Sequence, residues 1–184
     1  MAIYLNIEPK ESYKLLNTGA LTIVSTLDSK GNFNLTPIAW HTPVDYEPVT
    51  KLLFVTDINH KAYANIKETG EFVICIPHSS QVQMVRNIGS CSGFSVNKIQ
   101  AFEIEYSLSE KYQMAVPNGC LAYIECKKKK EIEEEGVAIV IGEVINARAI
   151  KEAYRNRLLS EKKIAKTLHH LGNDKFIEPG DLIE

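Results

Sequence analysis

The sequence contains no uninterrupted run of roughly 18 apolar residues, so it offers no candidate membrane-spanning helix. It has no surplus of positive charge: 21 Lys and Arg stand against 23 Asp and Glu, for a formal charge of −2. Aromatic side chains are not interleaved with basic ones in a stripe, and nucleic acid is therefore not an expected partner. Cysteine is sparse and scattered. Cys75, Cys91, Cys120 and Cys126 form no C-x-x-C pair and have no clustered histidines, which argues against both zinc and a redox dithiol and for small reduced core residues. No G-x-G-x-x-G element follows a strand-like segment, so a Rossmann dinucleotide site is not expected. Repeats and low-complexity linkers are also missing. The first ten residues carry neither a basic leader nor an apolar stretch of signal-peptide length, and the expectation is a cytoplasmic protein.

What is present fits one core. A chain of 184 residues, 45% of them hydrophobic, can bury one full core and hardly two, which gives a single domain over residues 1–184. Residues 9–16 read as a short helix with Pro9 at its start and Gly19 beyond its end. Residues 21–26 and 33–42 read as a hairpin around the turn chemistry of Asp28-Ser29-Lys30-Gly31. Residues 52–56 and 72–76 look like buried strands on either side of a short helix. Ser80 and Gln83 fit a capping box opening a helix through Ile88, with a loop over 89–93. Residues 102–108 read as a further strand. Residues 120–134 and 137–147 form a long hairpin around Gly136, its charges reading as a solvated end with cross-strand pairing. Residues 150–159 and 162–171 read as helical or irregular. About six antiparallel strands with short helices between them, without regular strand-helix alternation, predict a mainly β (α+β) fold, a small closed barrel.

Two segments could carry chemistry. Asn59 is a good N-cap residue and Gly70 a natural helix terminator, yet the intervening helix opens with His60 and Lys61, cations at the positive end of the dipole. An anion there would reverse the penalty, since unpaired amides, the dipole and an ammonium converge on one point. The alternative is a surface lysine tolerated at small cost. In the preceding strand, Pro37 and Pro43 remove ladder donors, so residues 36–42 are not expected to be paired on both sides. Amides and carbonyls left over could meet a planar heterocycle such as an isoalloxazine ring, with Trp40 or His41 packed nearby; core packing is the other reading of Trp40.

The ordered set Asn34-Leu35-Thr36-Pro37, Trp40, Pro43-Val44, Pro48, His60-Lys61, Asn65-Ile66, Thr69-Gly70-Glu71-Phe72, Ser92-Gly93, Lys98 and residues 168–172 resembles the flavin reductase-like, FMN-binding split-barrel family that includes flavoredoxins. The resemblance covers residues 20–176. It implies an antiparallel, Greek-key split β-barrel that forms a homodimer with FMN near the subunit interface. The ring would lie along Thr36, Pro37, Ile38, Ala39, Trp40 and His41, and the phosphate would meet Asn59, His60, Lys61 and Ala62, with Asn65 close by. Ser92 and either His169 or His170 would close over the cofactor. Adjacent histidines on an extended segment face opposite ways and could not share one metal. The sequence departs from the family at Ala62, where Thr is common, at Ala39 and His41, where Ser and Phe are frequent, and at Asn97-Lys98-Ile99 in place of Asp-Lys-Phe. A hydroxyl lost from a charged ligand would cost roughly 1.5–3 kcal/mol if nothing replaced it.

The function this implies is an FMN-dependent oxidoreductase, a flavin reductase or flavoredoxin, moving electrons from NADH, NADPH or a protein donor through flavin to flavin, ferric iron or another acceptor. A nicotinamide can stack on flavin without a Rossmann site. Two other readings remain: a non-catalytic flavin-binding module, and a barrel with no cofactor in which Lys61 is a surface charge and the prolines protect sheet edges.

Overall fold

The computed structural model describes residues 7–17 and 19–183. Eleven strands form among the described residues, against about six expected, and seven of them make an antiparallel main sheet of order β2-β1-β5-β8-β9-β4-β3. Those seven are β1 (Thr22–Leu27), β2 (Phe33–Ile38), β3 (His41–Asp45), β4 (Lys51–Asp57), β5 (Glu71–Ile76), β8 (Ala122–Glu134) and β9 (Val137–Ala149). Three short helices lie between them, α1 (Lys61–Thr69), α2 (Val82–Gly89) and α3 (Lys98–Ala101). Two small hairpins complete the fold: β6 (Tyr106–Leu108) with β7 (Ala115–Pro117), and β10 (His169–Gly172) with β11 (Lys175–Ile177).

The connection from β2 to β3 decides the overall shape. These strands are the two outer edges of the sheet, yet only Ala39 and Trp40 separate them in sequence. Two residues reach no more than about 10 Å, counting the bonds on either side. The sheet must therefore curl until its edges nearly meet. They do not join in a ladder; the Val55 N–H donating to the Trp40 carbonyl at 2.9 Å only extends the β3–β4 pairing by one residue into the connection. The barrel is split rather than closed, because Pro37 sits in β2 and Pro43 in β3 and neither has an N–H to give.

β1 and β5 are buried on both faces, and their alternation divides the core. Ile23, Val73 and Cys75 join Val85 and Ile88 of α2 in one cluster; Val24, Phe72 and Ile74 join Ala62, Tyr63 and Ile66 of α1 in the other. Thus α1 and α2 pack on opposite sides of the β1–β5 pair, with β2 running past both. The four cysteines are free thiols, three of them buried.

Several boundaries differ from the sequence reading. The segment 9–16 is a 3₁₀ helix. The capping box lies two residues upstream of the expected one: the His78 N–H donates to Gln81 Oε1 at 2.9 Å, and Nδ1 of His78 accepts from the Ser80 N–H at 3.1 Å. Residues 102–105 are not strand, since the backbone turns after α3 and Glu103 takes a positive φ of 48°. Of the charges on the long hairpin, Lys129 pairs across the strands with Glu143, whereas Glu133 reaches back to Lys67 and Tyr63 of α1.

Candidate functional site

Where the barrel splits, two cavities share a wall. The first, about 390 Å³, is floored by Pro37, Ile38, Ala39 and Trp40, and is closed by Val55, Thr56, Asp57, Tyr13 and His170. The second, about 300 Å³, is lined by Thr36, Lys61, Ser90, Ser92, Gly93 and Lys98. Pro37 and His60 belong to both. One side of the shared wall is largely apolar and the other is rich in hydroxyls and ammonium groups, with no carboxylate in its lining.

The polar cavity sits at the start of α1. The cap position falls on His60 rather than Asn59, and no side chain caps the helix. Asn59 turns away, its amide and backbone N–H both on Asp57 Oδ1 at 3.0 and 2.7 Å. His60 instead places Nδ1 at 2.9 Å from Thr56 Oγ1. Burial pushes its imidazole below the ordinary value; Asp57 pulls the other way and Lys98 adds to the lowering. Lys61 lies 3.1 Å from Asp28 Oδ2, so its ammonium is not free but shared. Burial by itself would raise the Asp28 carboxyl, yet hydrogen bonds from Asn32, Lys61 and Lys30 hold it at about 2.

Lys98 is the cation that the site reading passed over. It is 5% exposed, and its Nζ donates to the carbonyls of Leu35 at 3.0 Å and Ile88 at 2.6 Å. Two of three ammonium donors are thereby fixed, and the third is left for the cavity it lines. Burial pushes its pKa down, with the nearby Cys91 opposing. Asn97 before it caps α3, its Oδ1 accepting from the Gln100 N–H at 3.2 Å. Nothing in a four-residue helix tells from sequence which way Lys98 turns.

Gly93 brings the 90–93 loop against Asn34 and Lys61. A Cβ there would stand 1.9 Å from Asn34 Oδ1 and 3.3 Å from Lys61 Cβ. That Asn34 oxygen is buried with no hydrogen-bond partner, while its Nδ2 donates to Thr36 Oγ1 at 3.0 Å. Two cations, several hydroxyls and an uncapped helix start surround a cavity with no carboxylate in its lining among the described residues. The chemistry of this donor set fits a phosphate, and the adjoining apolar wall fits a flat ring.

Of the residues expected at the site, Thr36, Pro37, Ile38, Ala39, Trp40, His60, Lys61 and Ser92 line the two cavities. Five do not. His41 points its Nε2 at the Ala20 carbonyl, 2.6 Å away, and burial depresses its pKa against the pull of that carbonyl. Asn59 is held by Asp57. Ala62 packs in the core beneath α1, fully buried. Asn65 is likewise buried and donates to Thr26 Oγ1 at 3.0 Å, tying α1 to β1. His169 meets Thr167 Oγ1 at 2.9 Å on the far face of β10, and the alternation of an extended strand leaves His170 at the cavity. Trp40 is not a core residue: it is 49% exposed, donates from Nε1 to Asn17 Oδ1 at 3.0 Å and meets Tyr13 edge-on.

An antiparallel split barrel with an amphipathic double cavity at its seam defines the class of flavin-reductase-type folds. The flavin reductase like domain matches residues 16–168, and the chain belongs to that family. It is 27% identical to the uncharacterized protein YddH of Escherichia coli K12, over 98% of this chain and 97% of that one. Among solved structures it is similar to the FMN-binding domain of a flavin reductases-like enzyme from Shewanella baltica, with a TM-score of 0.79 and 27% identity over 97% and 95% of the two chains. It shares its fold with a flavoredoxin of Methanosarcina acetivorans, at a TM-score of 0.81 and 21% identity, covering 100% and 95%.

Proposed function

We propose that the chain, acting as one domain and as a homodimer, binds FMN and serves as an oxidoreductase of flavin reductase or flavoredoxin type. Its donor would be a reduced nicotinamide or a protein, and its acceptor free flavin, ferric iron or another small oxidant. The observation that carries this reading is the wall shared by the two cavities at Pro37 and His60. An apolar slot and a cationic, carboxylate-free pocket joined in this way match a ligand that is a flat ring at one end and a phosphate at the other. The similarity to an FMN-binding domain at 27% identity supports it.

In this reading the phosphate lies at the start of α1, on Lys61, Lys98, Ser92 and the open amides, and the ring lies along residues 37–40. When bound, FMN supplies a two-electron acceptor for hydride and can release those electrons onward. The protein's part is binding, orientation and exclusion of water. Trp40 and His170 wall the ring, and His60, kept neutral by burial, bridges ring side and phosphate side without adding charge. Asp28 shares Lys61, which ties the cation in place but reduces the charge it offers. That sharing is what would favour a binding module over a fast enzyme. A cytoplasmic setting, where reduced nicotinamides are available, accords with the enzyme reading.

The test is the visible spectrum of the purified protein before and after FMN addition and gel filtration, followed by anaerobic NADH and NADPH. Retained flavin that bleaches establishes the reductase. Retained flavin that does not bleach indicates a carrier or binding module, and protein that keeps no flavin removes the proposal of a resident cofactor. For the dimer, Val44, Tyr46 and Val49 around the β3–β4 connection and Ile145 of β9 are exposed, and the Val144 N–H donating to the Thr50 carbonyl joins the two segments. Light scattering should give twice the 20.7 kDa chain mass, and a monomer at micromolar concentration would refute it.

A further inference from the structure

A third and a fourth cavity continue from the ring slot. The third, about 580 Å³, shares Pro37, Ala39 and His170 with the first and is walled by Leu21, Val85 and Phe176. Arg86, Asp174 and Phe176 carry it into the fourth, a trough of about 760 Å³ between α2, β11 and the 163–168 segment. The path runs from apolar to charged. Its midpoint is Arg86, whose Nε donates to Asp174 Oδ1 at 2.9 Å, whose Nη2 donates to the Asp174 carbonyl at 3.2 Å, and which lies 5.3 Å over the Phe176 ring.

The trough has more positive than negative charge. Arg86, Lys163, Lys166 and Lys175 face Asp174 and Glu178. Asp174 is already taken by Arg86, and Glu178 Oε2 accepts from Ser79 Oγ at 2.7 Å. Lys166 donates to the neutral carbonyls of Pro179 and Gly180 and has no carboxylate partner among the described residues. Lys163 and Lys175 have no carboxylate partner among the described residues. An elongated molecule with an aromatic head and a polyanionic tail suits such a path, and its head would be delivered beside Pro37 and His170.

We infer that the electron donor is a nicotinamide dinucleotide bearing the extra 2′-phosphate, NADPH, with its nicotinamide in the Phe176 cavity, its pyrophosphate at Arg86 and its adenosine phosphate on Lys163 and Lys175. This rests on the flavin reading, which puts the ring next to Pro37 and Ala39. The trough itself can be tested without the flavin. Adenosine 2′,5′-bisphosphate and adenosine 5′-monophosphate are titrated calorimetrically into the wild type and into the Lys163→Glu/Lys175→Glu variant, in which both changes are at exposed positions. The bisphosphate should bind about tenfold more tightly than the monophosphate to the wild type, and the double charge reversal should weaken it about tenfold. Added salt should weaken it further. No binding of the bisphosphate, equal binding of the two nucleotides, or bisphosphate binding unchanged in the variant would each overturn the inference. Flavin retention, read separately from the visible spectrum, reports on the earlier proposal and not on this one.

Discussion

Gly142 of β9 faces Phe72 across the barrel interior, and the space for a side chain is not there. A Cβ would lie 2.3 Å from Phe72 Cζ and 3.0 Å from Cys126 Cβ. Phe72 cannot swing aside, since it is fully buried and packs edge-on against Phe54 with ring centres 5.4 Å apart. Gly142→Ala should lower unfolding stability by about 1–3 kcal/mol, read from the urea midpoint, with the larger Gly142→Val unable to fold. A change below the error of the fit would show that β9 can shift to make room. Trp40 offers a second single-residue test, because it is the one tryptophan of the chain. Half-exposed at the mouth of the ring slot, it should lose most of its fluorescence as FMN is titrated in, and Trp40→Phe should abolish that signal while leaving flavin absorbance bound to the protein. Neither residue announced its place in sequence. Gly142 stands in a strand pattern that its neighbours explain equally well, and Trp40 has the composition of a core residue but is turned outward by its bond to Asn17.

At the scale of elements, local chemistry was legible where one residue type has one job. Gly70 ends α1 in the left-handed region at φ 72°, its N–H on the Ile66 carbonyl, as a glycine after a periodic run predicts. The turn at 28–31 and the hairpin about Gly136 were legible for the same reason. Capping was less so, because several residue types compete for the role. Asn59 is the better cap by preference, but Asp57 sits two residues upstream and takes its amide, so the helix begins at His60 and stays uncapped. At the 3₁₀ turn Ser79–Gln81 that leads into α2 the acceptor is an imidazole nitrogen, which a search for Ser or Thr passes over. Gln81→Ala removes the acceptor for the His78 N–H and the donor to the Asn118 carbonyl, 3.0 Å away. It should cost about 0.5–2 kcal/mol in a chemical melt. An unchanged midpoint would mean that water replaces both bonds.

For the molecule as a whole, the antiparallel barrel was legible from strand spacing, but its split only from the family resemblance, since closure depends on whether edges separated by the entire sheet can pair. The site suffered in the same way: it is assembled from β2, the start of α1, the 90–93 loop and β10, and only the first two are close in sequence. Asn65 and His41 have polar side chains but the wrong facing, and Ala62 is buried in the core. His41 nevertheless leads to a property of the folded state. Its imidazole and that of His60 are held below their ordinary value of 6.5, chiefly by burial. A depressed histidine takes up its proton more readily when unfolded, so its contribution is present above pH 6.5 and is lost as pH falls below it. Glu125 acts lower on the scale. Burial alone would raise it, but Asn146, Ser109 and the N–H groups of Tyr112 and Lys111 outweigh that and lower it from 4.5, and Asp28 is held at about 2. Their contributions are present above the ordinary carboxylate range and are lost as pH drops through it. Stability should therefore be flat only at about pH 7, before the buried Cys75 and Cys126 thiols, pushed up by their surroundings, begin to cost stability on the alkaline side; it should fall once below 6.5 and fall again below 4.5. Urea midpoints measured across this range test the order, and His41→Phe assigns the first step. With one buried imidazole removed, the slope between pH 6.5 and 5 should shrink while the carboxylate step stays; an unaltered slope would show that His41 is protonated as easily in the folded chain as in the unfolded one.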